Sequence, residues 1–259
     1  MVNTRINHLN ISRQIKNDEY YTLYEDIEAR IKGDEHIFEN KIVYCNCDDY
    51  TKSNFYKFFK NEFHNLKLKK LIATSINVHG AIYNGETEEI LPVSNGYADI
   101  NNLQYLRECD YVITNPPFSL LRFYISYLLV LNCKYLIVAP LTIIKYLLKS
   151  GGNFKSGGKF KSGGNISVMN VFWLHNIQDA FKPPLSILHL ASLDTKYNGN
   201  PYINKLTNLP FDTDELLYVP ITFFLYDYED YFEIKGVSSH INNLFQRICI
   251  KRKHNDTTL

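Results

Sequence analysis

Residues 111–140 read YVITNPPFSLLRFYISYLLVLNCKYLIVAP, and this stretch decides the fold. The apolar run Tyr111–Thr114 stops at Asn115 and two prolines, which fix φ and lack an N–H, so a strand ends there. SLLRFYISYLLVL (119–131) then has helical periodicity, and KYLIVAP (134–140) is another buried strand. The same order occurs upstream. KIVYCNC (41–47) is a strand that runs into Asp48 and Asp49, SNFYKFFKNEFHNL (53–66) is a helix with Ser53 or Asn54 as its cap, and KLIATSI (70–76) is a strand. DEYYTLYEDIEARI (18–31) carries a helical stripe of Tyr20, Leu23, Tyr24, Ile27 and Ile31.

Strand and helix in alternation, with near-continuous apolar strands, predict an α/β fold with a mostly parallel sheet covered on both faces. VMNVFWL (168–174) and LSILHLA (185–191) are expected to extend that sheet. Open sheets of this kind bind ligands at the carboxyl ends of their strands. The predicted ends carry Asp48 and Asp49, Ser75 and Asn77, Asn115, and Pro140 followed by Thr142.

KSGGNFKSGGKFKSGGN (149–165) repeats Lys-Ser-Gly-Gly three times, a composition that predicts a mobile loop. It is not a phosphate-binding loop, because Gly158 stands at the lysine position of that motif and Phe160 follows Lys159. Beyond about Thr195 the composition changes, with strand-like YVPITFFLY (218–226) and a closing RICIKRK (247–253). The expected division is a catalytic domain over 1–192 and a small β-rich region over 193–259.

A net charge of +1 excludes a polycation, so nucleic-acid contact would need local clusters. Lys155, Lys159 and Lys161 in the repeat and Arg247, Lys251 and Arg252 near the end are the candidates. The five cysteines are odd in number and include no C-x-x-C pair, which points to a reducing compartment. MVNTRINHLNISRQ has no apolar signal region, and residues 120–148 are interrupted by Arg122, Asn132, Lys134 and Lys145. A soluble cytoplasmic protein with no membrane span is therefore expected. His79, His175 and His189 lack the partner spacing of metal ligands, so no metal is expected.

Asn-Pro-Pro-Phe has a plain reading as a turn followed by a core phenylalanine, but its place directly after a buried strand favours a chemical one. The exocyclic amine of adenine is a weak nucleophile, because its lone pair is delocalised into the ring. Two acceptors aimed at its hydrogens, the Asn115 side-chain oxygen and the Pro116 carbonyl, would hold it in a more reactive geometry. Pro116 and Pro117 each force the preceding residue out of the helical region and so aim that carbonyl outward. Phe118 offers a ring for a base drawn out of its duplex.

The chain resembles the EcoRI-type family of adenine-specific DNA methyltransferases. The resemblance is carried by NDEYYTLYEDIEARI (17–31), KIVYCNCDD (41–49) with SNFYKFF, KKLIAT (69–74), CDYVITNPPFSLLR (109–122), NVFWLHN (170–176), YVPITFF (218–224) and RICIKRK. It implies a Rossmann-like domain that uses S-adenosylmethionine to methylate adenine N6 in double-stranded DNA, with a C-terminal target-recognition region; a cognate restriction endonuclease would be a functional partner only. It further implies a catalytic motif of Asn115, Pro116, Pro117 and Phe118. The cofactor pocket would draw on Tyr20, Tyr21, Thr22, Asp48, Asp49 and Asp99. VYCNCDD lacks the glycine signature of methyltransferases in general, and ATSIN leaves the usual ribose-binding carboxylate unassigned. The residues alone leave two alternatives open: methylation of another planar amine (an RNA base or a glutamine amide), and a relative that binds cofactor or DNA without turnover.

Overall fold

Runs that can bury both faces form the centre of a sheet, and here they do. The computed structural model describes residues 22–150, 154–163, 168–181, 187–191, 195–238 and 247–253. Two compact units emerge, one from the chain up to Pro140 together with Phe160–Phe181, the other from Leu141–Lys159 and Lys182 onward. In chain order the elements are α1 (Tyr24–Ile31), β1 (Ile42–Cys45), α2 (Asn54–Asn61), β2 (Lys70–Ala73), β3 (His79–Tyr83), β4 (Glu88–Val93), α3 (Leu103–Glu108) and β5 (Tyr111–Thr114). They continue with α4 (Leu121–Val130), β6 (Tyr135–Pro140), α5 (Ile144–Ser150), β7 (Lys155–Gly163), β8 (Val168–His175), β9 (Leu217–Pro220), β10 (Phe232–Ser238) and β11 (Arg247–Arg252).

The large sheet has the order β4-β3-β2-β1-β5-β6-β8-β7. β1 pairs in parallel with β2 on one side and β5 on the other, Val43 lying opposite both Leu71 and Tyr111. β5 and β6 are also parallel, whereas β3, β4 and β8 add antiparallel strands at the two sides. The parallel core of a Rossmann-like fold is thus present. Every residue of β1 and β5 is buried, as parallel strands covered on both faces require.

α2 shows why the covering helices form. The Ser53 hydroxyl accepts from the Phe55 N–H at 3.0 Å and the Tyr56 N–H at 3.5 Å, satisfying donors that the first turn leaves open. Phe55, Tyr56, Phe58 and Phe59 then fall on one buried face. Phe55 meets Trp173 of β8 edge-on at 6.0 Å, and Phe59 lies 5.5 Å from Phe38. Full burial of each such ring contributes about 1.5–3 kcal/mol.

Several expectations need correction. The β3–β4 hairpin was not foreseen, although Asn84-Gly85 marks its turn: Gly85 has φ +99, and the Asn84 side chain accepts from Thr87 N at 2.8 Å. Its pairing with β2 requires Gly80, where a Cβ would stand 2.6 Å from the Ala73 carbonyl oxygen. The described part of LSILHLA does not extend the sheet; it is a short 3-10 turn, Ile187–His189, with Ile187 N bonded to Asp227 O at 2.9 Å. A short apolar run fits a buried turn as well as a strand. The Lys-Ser-Gly-Gly repeat is not all loop either. Lys155–Gly163 is a strand, in which small side chains let Ser156, Gly157 and Gly158 be buried.

By contacts, the segment from Leu141 to Lys159 groups with the second unit. There Leu147, Leu148 and Phe154 line an open cleft of about 370 Å³ with Phe224, Tyr228 and Phe232. The unit's own sheet, β10-β11-β9, is antiparallel, with Ile248 opposite Val219. YVPITFFLY is a strand only to Pro220, after which Ile221–Leu225 turns as a 3-10 helix.

Candidate active site

β1 has β2 on one side and β5 on the other, so the crossover to β2 and the crossover from β5 to β6 leave in opposite directions. A crevice opens at such a reversal, outside the carboxyl ends of the two strands. β1 delivers Asn46, Cys47 and Asp48 to it, and β5 delivers Asn115.

Asp48 is buried, with 7% of its surface exposed, and accepts three donors. The Ser53 hydroxyl donates to Oδ1 at 2.6 Å, the Thr114 hydroxyl donates to Oδ2, and the Asn115 backbone N–H bonds to the same carboxylate. Burial pushes the carboxyl up to about 6, against the pull of these three bonds. The Cys47 N–H donates to Thr114 Oγ1 at 3.2 Å, so the ends of β1 and β5 are joined twice. Asn46 is fully buried; its Oδ1 accepts from the Tyr124 hydroxyl of α4, and its Nδ2 has no partner among the described residues.

The Asn-Pro-Pro-Phe corner follows at once. Pro117 is extended, with φ −62° and ψ 121°, and its carbonyl accepts from Leu120 N at 3.0 Å. The Pro117 carbonyl is therefore drawn into the following 3-10 turn, one residue beyond the carbonyl assigned to the amine. Asn115 is partly buried, and Phe118, also partly buried, packs against the core.

The other expected residues are distributed unevenly. Thr22 is buried beside the start of α2, with its carbonyl accepting from Asn54 Nδ2 at 2.9 Å and its hydroxyl without a partner among the described residues. Tyr20 and Tyr21 lie outside the described residues. Asp49 is engaged in its own loop, accepting from Thr51 Oγ1 at 2.7 Å and facing Lys52 Nζ at 3.1 Å. Burial alone would raise its carboxyl, yet Thr51 and Lys52 hold it below the usual range. Asp99 caps a turn: its oxygens accept from the backbone N–H of Asn95 at 2.8 Å and of Asn101 at 2.9 Å, which depress its pKa. Beside it, buried Asn102 donates to Ser94 Oγ at 2.7 Å, and Tyr97 meets Tyr124 edge-on at 5.0 Å.

Two residues at the crevice, Asn46 and Thr114, were passed over in the sequence, although both stand inside the quoted strand ends. An uncharged amide and a hydroxyl have no spacing signature. The buried Nδ2 of Asn46 and hydroxyl of Thr22 fit a polar cofactor, since each can still make a hydrogen bond.

Lys155, Arg247 and Arg252 make contacts within the second unit. Lys155 pairs with Glu229 at 3.2 Å, and Arg247 donates to Ile203 O at 2.6 Å and to Asn204 Oδ1. Arg252 donates to the Phe211 carbonyl, while Lys251 stands across the β10–β11 ladder from Glu233. The side chains of Lys159 and Lys161 lie outside those described. No helix of the described residues is long and apolar enough to cross a membrane.

Comparison with known proteins bears on this geometry. The family described as adenine-specific methyltransferase EcoRI matches residues 8–91 and 86–149, which include both strand ends and Asn-Pro-Pro-Phe. The type II methyltransferase M.EcoRI of Escherichia coli is 33% identical over 313 aligned positions, covering 95% of this chain and 96% of that protein. M.MgeORF184P of Mycoplasma genitalium is 26% identical over 84% of the chain and 82% of its own length. M.MpnI of Mycoplasma pneumoniae is 41% identical over 129 residues, covering 48% of this chain and 40% of that protein. No solved structure gives a significant match.

Proposed function

This chain belongs to the EcoRI-type family of adenine-specific methyltransferases, site-specific enzymes of DNA, and from that premise we propose that it methylates N6 of an adenine swung out of duplex DNA. The observation that carries the reading is the emergence of Asn115 from β5 into the crevice beside β1. Asn115 Oδ1 and the Pro116 carbonyl accept the two amine hydrogens, and the rigid proline pair keeps both acceptors aimed without reorganisation. Phe118 stacks on the base with the face that the core leaves open. Thr22 and Asn46, with Asp48 behind them, line the cofactor side.

S-adenosylmethionine, when bound, would supply an electrophilic methyl carbon to the N6 lone pair, its C–S pair staying on sulfur and the N6 proton passing to solvent. The chain's own residues orient the amine and shield it, and none forms a covalent bond to the base. Residues 193–259 read the target sequence in this proposal, and a cognate restriction endonuclease would be a functional partner only.

The test is transfer of labelled methyl to unmethylated double-stranded DNA, with Asn115→Ala alongside and single-stranded RNA as a second acceptor. We expect label in N6-methyladenine of DNA, reduced about 100- to 1,000-fold by the substitution, in the range for loss of one preorganised group. Undiminished transfer by Asn115→Ala, or label only in RNA, would refute this reading.

A further inference from the structure

The two strand ends of the crevice are joined through one hydroxyl. Thr114 is fully buried, and its Oγ1 accepts from the Cys47 N–H at 3.2 Å. Its single proton is therefore directed to Asp48 Oδ2. Asp48 Oδ1 receives the Ser53 hydroxyl at 2.6 Å, and Ser53 in turn caps α2, 3.0 Å from the Phe55 N–H. The Asn115 N–H bonds to the same carboxylate. The first residue of the catalytic corner is thus held from β1, from α2 and from its own preceding side chain.

We propose that Thr114 is a positioning residue for methyl transfer: its hydrogen bond to Asp48 sets the placement of Asn115, and through it the placement of the amine. The inference rests on the function proposed above. Thr114 precedes Asn115 directly, and Pro116 restricts Asn115 from the other side. The Thr114 side chain therefore acts on the placement of Asn115 through the same carboxylate that the Asn115 N–H holds. A displacement of about 1 Å in such a group costs roughly 100-fold in rate. Valine fills the same space and keeps the β-branch, but it strands the Cys47 N–H and removes a donor from the Asp48 carboxylate.

The pH dependence follows from the same contacts. Among the described residues, Cys45 and Cys47 from the end of β1 and Tyr124 from α4 are the titratable groups that face Asp48, and burial holds all three neutral through the working range. Two donor hydroxyls and one N–H favour the ionised carboxylate, so activity falls as pH drops through the Asp48 pKa. Loss of the Thr114 donor moves that acid limb to higher pH.

The experiment uses the full chain and compares Thr114→Val, Thr114→Ser, Ser53→Ala and Asn115→Ala. Single-turnover transfer to DNA is measured from pH 5.5 to 8.5, together with the Kd for S-adenosylmethionine and the thermal midpoint. Thr114→Val should transfer about 10- to 100-fold more slowly, with cofactor Kd within about threefold of wild type and its acid limb displaced upward. Thr114→Ser should restore the rate to within about threefold, and Ser53→Ala should show the same upward limb with a smaller loss. Should Thr114→Val fail to fold, the Ser53→Ala profile decides, an unmoved limb refuting the proposal. Wild-type rates in Thr114→Val beside an inactive Asn115→Ala would overturn the positioning role and leave the function standing. A rate loss matched by lost cofactor affinity, or one that serine does not rescue, would overturn it as well. No transfer by the wild type would remove the function itself, and the positioning role with it.

Discussion

Replacing Asp48 by asparagine should make stability less dependent on pH. The carboxyl is raised from 3.8 to about 6 in the folded protein, so between those values the native state holds a proton that the unfolded chain has lost. The associated stability is fully present below 3.8 and disappears as pH rises through about 6. At ~1.4 kcal/mol for each tenfold change in proton affinity, the whole effect is about 3 kcal/mol, and about half of it falls between pH 5 and 8. Asparagine carries no charge, so its curve lacks this component. At neutral pH the relief of about 3 kcal/mol opposes the loss of an acceptor for Thr114 or Asn115, which costs about 1–3 kcal/mol. Net stability at pH 7 should therefore change little, although the rate falls with the misplacement of Asn115. Urea unfolding of both proteins at half-unit intervals from pH 5 to 8 measures the difference and cancels the contributions of all other groups. The asparagine variant should gain about 1.5 kcal/mol relative to wild type across that interval. Parallel curves would mean that Asp48 holds its proton no differently when folded, and the reasoning would fail.

Other expectations are simpler. Phe118→Ala should weaken binding of DNA with a mispaired target adenine by about 1–3 kcal/mol, the worth of one base stacked on a ring, while Phe118→Trp keeps most of it; equal affinities in a competition titration would exclude stacking. Arg247→Ala should destabilise the second unit by about 1–3 kcal/mol, because the Ile203 carbonyl and Asn204 lose their donor. If Arg247 instead neutralises a DNA phosphate, the salt dependence of DNA binding will drop by about one charge with no change in the melting temperature.

Local pattern was enough for much of this chain. The apolar runs at 41–45 and 111–114, the capped helix after Ser53 and the proline stop at 116–117 each follow from neighbours within a few residues, because burial period, capping and fixed φ are local properties. The Asn84-Gly85 turn is equally local, a two-residue signal that apolar periodicity does not register. Lys155–Gly163 could not have been read as a strand: its glycines and serines have no preference for one, and only a neighbouring strand supplies the hydrogen bonds that hold it. The corner Asn115–Phe118 stood out in the sequence, since no folding reason accounts for that asparagine and phenylalanine. The distinction among the acids did not. Asp48 and Asp49 are adjacent and chemically identical, yet one is buried against Thr114 and Ser53 and the other turns to Thr51 and Lys52. That difference is made by β5, some 66 positions away in the chain and directly alongside β1 in the sheet. Strand pairing across such a distance is a tertiary event. It alone determines which carboxylate, amide and hydroxyl share one crevice.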